Sequence, residues 1–247
     1  MNIKADYHTH STYSKWYHAR HSINQMAKAA KELGLTELAI TDHGPKHLLF
    51  GVNIKKLDKA INQSKKASEQ HGIKVYYGIE ANLTGLDGSI DLTDDQIAKL
   101  DILLMGYHKG TKCDFIRYFF NKKRNSAEQI EKNTQAYVNA IHKHNIAIVT
   151  HINEYIKVDV AQVAKACAET NTLIEFNRKH LKFTQQEAQA LIDSGANFVL
   201  SSDAHKKSRI ADVARCIEFI EKYNIPKERV LNLQDIVNFK KPTTQEN

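Results

Sequence analysis

Cysteine is scarce in this chain, long apolar runs are missing, and no basic leader opens it. The three cysteines, Cys113, Cys167 and Cys216, are widely separated and odd in number, which argues against a disulfide framework or a paired-thiol zinc site. No apolar run approaches the roughly 18 residues that a membrane-spanning helix needs, so no membrane partner is expected. The chain begins Met1-Asn2-Ile3-Lys4-Ala5-Asp6 and enters a strand pattern directly, which leaves no room for the basic and apolar regions of a secretory signal. A cytoplasmic location is therefore expected. No stretch fits the phosphate-cradling glycine loop that ends in lysine and a hydroxyl residue, and Gly85-Leu86-Asp87-Gly88 reads as a turn.

What is present is alternation. The 247 residues, 42% hydrophobic and 26% charged, suit one large globular domain of repeated strand–helix units. Strand patterns fall at residues 3–8, 37–41, 74–80, 102–107, 146–150, 172–176 and 197–201. Continuous runs such as Ile102-Leu103-Leu104-Met105 are expected where both faces of a parallel strand are covered. Between them, Ser22 with Gln25, Thr93 with Gln96, Ser126 with Gln129 and Thr184 with Glu187 fit capping boxes, and Gly34, Gly72 and Gly195 supply helix stops. Ile23, Met26, Ala27 and Ala30 recur at helical spacing as a core-facing stripe. Strand–helix pairs number about seven, one short of the usual eight-unit barrel. The expected organisation is a single barrel domain over residues 1–240 and a loosely ordered tail over 241–247.

The 13 histidines divide by position. His8, His10, His43, His108, His151 and His205 fall at or just beyond strand ends, whereas His71, His142, His144 and His180 fall in helices or connecting loops. Carboxyl ends of parallel strands meet at the mouth of a barrel, so only the first group has a geometric reason to converge. His8 and His10, two apart on an extended strand, leave the same face; Asp203 and His205 repeat that spacing, and Glu80 adds a carboxylate able to bridge two metals. Asp42, beside His43, is expected to orient a ligand imidazole through a hydrogen bond, with a helix cap as the alternative.

His8-Thr9-His10, Ile40-Thr41-Asp42-His43, Gly78-Ile79-Glu80-Ala81-Asn82, Gly106-Tyr107-His108, His151 and Ser202-Asp203-Ala204-His205 occur in the order seen in the PHP family, the polymerase and histidinol phosphatase phosphoesterases. The chain resembles that family through nearly its whole length, and most resembles the small stand-alone phosphatases. The resemblance implies an α/β fold, a distorted seven-stranded (β/α)7 TIM-like barrel with a metal site at the carboxyl ends of its strands. It also implies a trinuclear metal centre held by His8, His10, His18, His43, Glu80, His108, His151, Asp203 and His205. His21 competes with His18 for its position; His18 is favoured because Ser22 caps the next helix and places His21 at its entry.

Seven imidazoles and two carboxylates favour zinc, with manganese or iron as alternatives, over magnesium or calcium. Three divalent ions, two carboxylates and a bridging hydroxide leave a formal charge of about +3, which attracts a phosphate dianion. The expected reaction is attack by metal-bound hydroxide, with no protein nucleophile, on a small phosphate monoester such as histidinol phosphate. Metal occupancy should decline below about pH 6.5 as imidazoles protonate. The alternative is a nuclease or nucleotide phosphoesterase, for which the net charge of +7 and the basic, aromatic segment 109–124 would track a nucleic acid. A noncatalytic metal-binding module is disfavoured because no expected ligand position is lost. An amidohydrolase is disfavoured by His108, where that plan typically has a bridging lysine. Lys109 and Arg178 are the phosphate-binding candidates, and segment 109–124 is either a lid or a surface helix with Phe115, Phe119 and Phe120 turned inward. Oligomeric state is not legible.

Overall fold

In a computed structural model that describes residues 3–116 and 125–242, seven parallel strands lie side by side in chain order. They are β1 (Ala5–Thr9), β2 (Glu37–His43), β3 (Lys74–Asn82), β4 (Ile102–Gly106), β5 (Ile148–Val149), β6 (Leu173–Asn177) and β7 (Phe198–Ser201). The ends of the sheet approach each other through a parallel bridge between Thr9 and Ala204, where the His10 N–H donates to the Ala204 carbonyl at 2.9 Å. The result is a nearly closed, TIM-like α/β barrel. Successive parallel strands require crossovers, and here these contain α1 (Ile23–Glu32), α2 (Leu57–His71), α3 (Asp94–Ile97), α4 (Ala127–Lys143), α5 (Val160–Thr170) and α6 (Gln185–Asp193). After β7 come α7 (Ala214–Lys222) and α8 (Leu231–Gln234).

Two hydrophobic layers hold this arrangement. Outside the strands, the α1 stripe of Ile23, Met26, Ala27 and Ala30 is buried in a continuous cluster with Leu38, Ile40, Ile79 and Leu103. Inside, Tyr7, Ala39, Tyr76, Leu104, Ile148, Leu173 and Val199 fill the barrel's lower half. Each large apolar side chain so removed from water contributes roughly 1.5–3 kcal/mol. Three of the four expected capping boxes are complete, at Ser22, Thr93 and Thr184. The fourth is half formed: Ser126 accepts from the Gln129 N–H, but the Gln129 amide donates to the Phe115 carbonyl and Asn133 instead.

Strand lengths depart from the sequence reading where the site lies. β2 and β3 run on to His43 and Asn82, because His43 still pairs with Glu80 and Asn82 with Gly106. β5 shrinks to two residues, and just after it His151 turns into the left-handed region at φ 28°, which ends the strand. Within the expected tail, the Lys241 carbonyl accepts from Asn145 at 2.9 Å, while residues 243–247 lie outside the described residues. No described helix is long and apolar enough to cross a membrane.

Candidate metal centre

Side chains alternate along a strand, so counting on from the apolar layer finds what crowns it. Four residues beyond Ala39, Tyr76, Leu104 and Val199 come His43, Glu80, His108 and Asp203; two beyond Leu173 comes Glu175. All are buried. On β1 the register shifts between Asp6 and Thr9, and this irregularity lets Tyr7 join the lower layer while His8, next in sequence, enters the upper one.

The donors converge on Glu80. Its Oε2 lies 3.3 Å from His8 Nε2, 3.1 Å from His43 Nδ1, 3.2 Å from His108 Nε2 and 3.8 Å from His10 Nε2. His151 Nε2 is 2.8 Å from Oε1. Asp203 makes a second focus, with Oδ1 3.2 Å from His10 Nε2 and 3.3 Å from His205 Nδ1. Among the described residues, three triads hold donor atoms within 4.8 Å of one another: His10–His43–His205, His8–His10–Asp203 and His43–Glu80–His108.

These residues fit metal ions. Both His43 ring nitrogens, His10 Nδ1, His205 Nε2 and Glu80 Oε2 are buried without a hydrogen-bond partner. Buried polar atoms ordinarily find partners, and a cluster of unpartnered ring nitrogens around a carboxylate oxygen is what a cation would satisfy. Donors about 2.0–2.1 Å from a tetrahedral zinc lie about 3.4 Å apart, comparable to the spacings around Glu80. Burial, then the neighbouring His205 imidazole, drives the His10 pKa well below its usual value; burial, then His10, does the same to His43. Neutral imidazole is the ligating form. Burial also opposes charge on His8, yet Glu80 and then Glu175 outweigh it and raise the His8 pKa, so the local field favours positive charge. Asp203 and His151 occupy left-handed backbone at φ 50° and φ 28°, a conformation costing of order 1–3 kcal/mol each that tends to persist where a site requires it.

Around the donors stands an orienting layer. Glu175 Oε1 is 2.6 Å from His8 Nδ1, and its Oε2 accepts the His151 N–H at 2.8 Å. Asn82 Oδ1 is 2.9 Å from His108 Nδ1, while the Asn82 amide donates to Asp91 at 2.6 Å. Thr150 donates to Glu80 Oε1 at 2.8 Å. Asp42 takes no such part. Adjacent to His43 on the same strand, it faces the opposite side and accepts from the Ser11 N–H, Ser11 Oγ and Ser14 Oγ, each at 2.7 Å. It therefore anchors the loop after β1 and neither orients an imidazole nor caps a helix. Burial raises its pKa to about 6 against those hydrogen bonds.

At the mouth, His18 stacks on Phe50 at 3.7 Å and meets His205 edge-on at 4.2 Å. His21 instead accepts from the Lys207 N–H at the rim. His18 lines the cleft but belongs to none of the three triads. Arg178 turns away and pairs with Asp212 at 3.4 Å. Its neighbour Lys179 enters, with Nζ 3.2 Å from Asp203 Oδ2 and 3.3 Å from His205 Nδ1. His180, which sequence position had set aside, also lines the cleft, held by Glu154 at 3.1 Å. His47 and Tyr155 join it. Lys109 lies in an adjoining cavity. Phe115 is buried, whereas residues 117–124, including Phe119 and Phe120, lie outside the described residues.

A sequence model of the PHP domain matches residues 6–186. A protein of Shewanella piezotolerans named probable phosphatase is 30% identical over 246 residues, covering 94% of this chain and 90% of the relative. A probable phosphatase of Proteus mirabilis is 28% identical over 241 residues, covering 92% and 89%. Among solved structures, histidinol phosphate phosphatase from Lactococcus lactis, crystallised with zinc, L-histidinol and phosphate, superposes with a TM-score of 0.62 at 18% identity. The match covers 90% of this chain and 94% of that one, a likeness of fold.

Proposed function

Because the chain belongs to the PHP domain family, we propose that it is a metal-dependent phosphoric monoester hydrolase, a phosphatase acting on small phosphorylated substrates. The observation that carries this reading is Glu80, a fully buried carboxylate approached by imidazoles from β1, β2 and from just beyond β4 and β5. Three divalent transition-metal ions, zinc in first place and manganese or iron as alternatives, match the donor set. His8, His10, His18, His43, Glu80, His108, His151, Asp203 and His205 would hold them. When bound, such ions supply a nucleophilic water near neutral pH and stabilise charge on the phosphoryl oxygens. The names of the curated relatives support a phosphatase.

The chain's own residues divide the remaining work. Glu175 and Asn82 hold His8 and His108 in fixed orientation, which keeps donors aligned between turnovers. Lys179, about one-third exposed at the mouth beside Asp203, adds a positive charge for an incoming phosphate and replaces Arg178 in that role. The Asp42 contacts hold the loop bearing Ser11 and Ser14 against β2, fixing the approach to His18.

A chelator experiment tests the assignment. The purified protein should release inorganic phosphate from at least one ester in a panel including histidinol phosphate and sugar phosphates. Treatment with a strong chelator should abolish release, and zinc or manganese should restore it. Full turnover after verified metal removal would contradict the proposal.

A further inference from the structure

The metal cleft is small, about 120 Å³, room for little more than a phosphate. Beside it is a cavity of about 610 Å³, within the range that accommodates a drug-sized organic ligand. His47, Phe50 and Tyr155 line both spaces. A phosphate ester seated at the metal centre thus has this aromatic wall next to its leaving group. Further along, the cavity is walled by Leu48, Tyr107 and Ile116. Its charged side chains, among the described residues, are Lys109 and Lys112, and no carboxylate lines it.

From this shared wall we propose that the preferred substrates are phosphomonoesters whose alcohol carries an aromatic or extended apolar body, neutral or anionic, and that cationic amino alcohols are poorly accepted. Aromatic rings contribute large apolar area and favourable edge or stacked contacts to such walls. An ammonium group entering the same space would lose its water, meet no carboxylate among the described lining residues and face Lys109 and Lys112. In the reaction the oxygen of water bonds to phosphorus and the bond from phosphorus to the alcohol oxygen breaks. The alcohol oxygen leaves with the electron pair and takes up the proton that water releases.

The inference rests on the phosphatase reading, and one comparison separates the two. With the zinc-loaded protein, kcat/KM would be measured for 2-phenylethyl phosphate, histidinol phosphate and glycerol 3-phosphate. All three release alkyl alcohols, so differences report chiefly on contacts to the alcohol. The expected result is a preference for the phenylethyl ester of about tenfold or more over each of the others. Leu48→Glu, at a side chain 70% exposed and so of little cost to folding, places a carboxylate on the wall. It should shift the phenylethyl-to-histidinol ratio about tenfold toward histidinol phosphate. Histidinol phosphate or glycerol 3-phosphate preferred by the unaltered protein, or a ratio unmoved by Leu48→Glu, would overturn the substrate class and leave a phosphatase. Hydrolysis of none of the three, with bound zinc verified, would overturn both.

Discussion

Glu175 shows how much of this site depends on a residue that holds no donor position itself. It sits in the apolar run of β6, where a carboxylate is costly unless paired, and it has three partners, the His8 ring, the backbone N–H of His151 and the side-chain amide of Asn177. Burial raises its pKa, yet the charge and hydrogen bond of His8, together with the charge of His151, outweigh it and the net shift is downward. Glu175→Gln keeps the shape but removes the charge that aligns His8, and metal affinity should fall about 10- to 100-fold. Titration of the metal-free protein with zinc, read by calorimetry, checks this alongside an unchanged circular dichroism spectrum; unaltered affinity would deny Glu175 the orienting role. Spacing along the sequence gives Glu175 no place at the site, because a single acid in an apolar strand carries no periodic signal. Asp42 misled for the opposite reason: adjacency to His43 suggested contact, but neighbours on a strand face opposite sides. His47 and His180 lie in loops, whose paths follow no repeat that spacing could reveal.

At the level of elements, the barrel was legible because its signals are local. Each strand contains a short apolar or β-branched run, and the starts of α1, α3, α4 and α6 carry Ser or Thr with Gln or Glu three residues on. All seven strand positions overlap those seen. Their ends moved because pairing with a neighbour, not local propensity, decides where a strand stops: β3 continues to Asn82 as long as β4 pairs with it. The Ser126 box failed in half because Gln129 found partners in Phe115 and Asn133, contacts made only after folding. At α6 the box is complete, with Thr184 accepting from the Glu187 N–H and Glu187 accepting from the Thr184 N–H. Thr184→Ala should cost about 1 kcal/mol with little effect on turnover, since α6 lies outside the cleft. Urea denaturation would measure it, and a cost near zero would mean that the cap adds nothing to the packed helix.

Across the whole molecule, strands spread from residue 5 to residue 201 deliver their polar ends to one buried cluster above a filled apolar interior. The lower half stabilises the barrel; the upper half gathers orphaned imidazole and carboxylate atoms that a folded protein leaves unpaired only with a partner in view. That division explains why the chain can keep buried carboxylates such as Glu80 and Asp203 close to many histidines. It also makes the central claim countable. Elemental analysis of the purified protein should find about three transition-metal ions per chain, falling by at least one in Glu80→Gln, which removes the charge shared by the donors around it. Protein that is folded and active on a phosphate ester yet holds no transition metal, or a Glu80→Gln variant with undiminished metal content, would contradict the account.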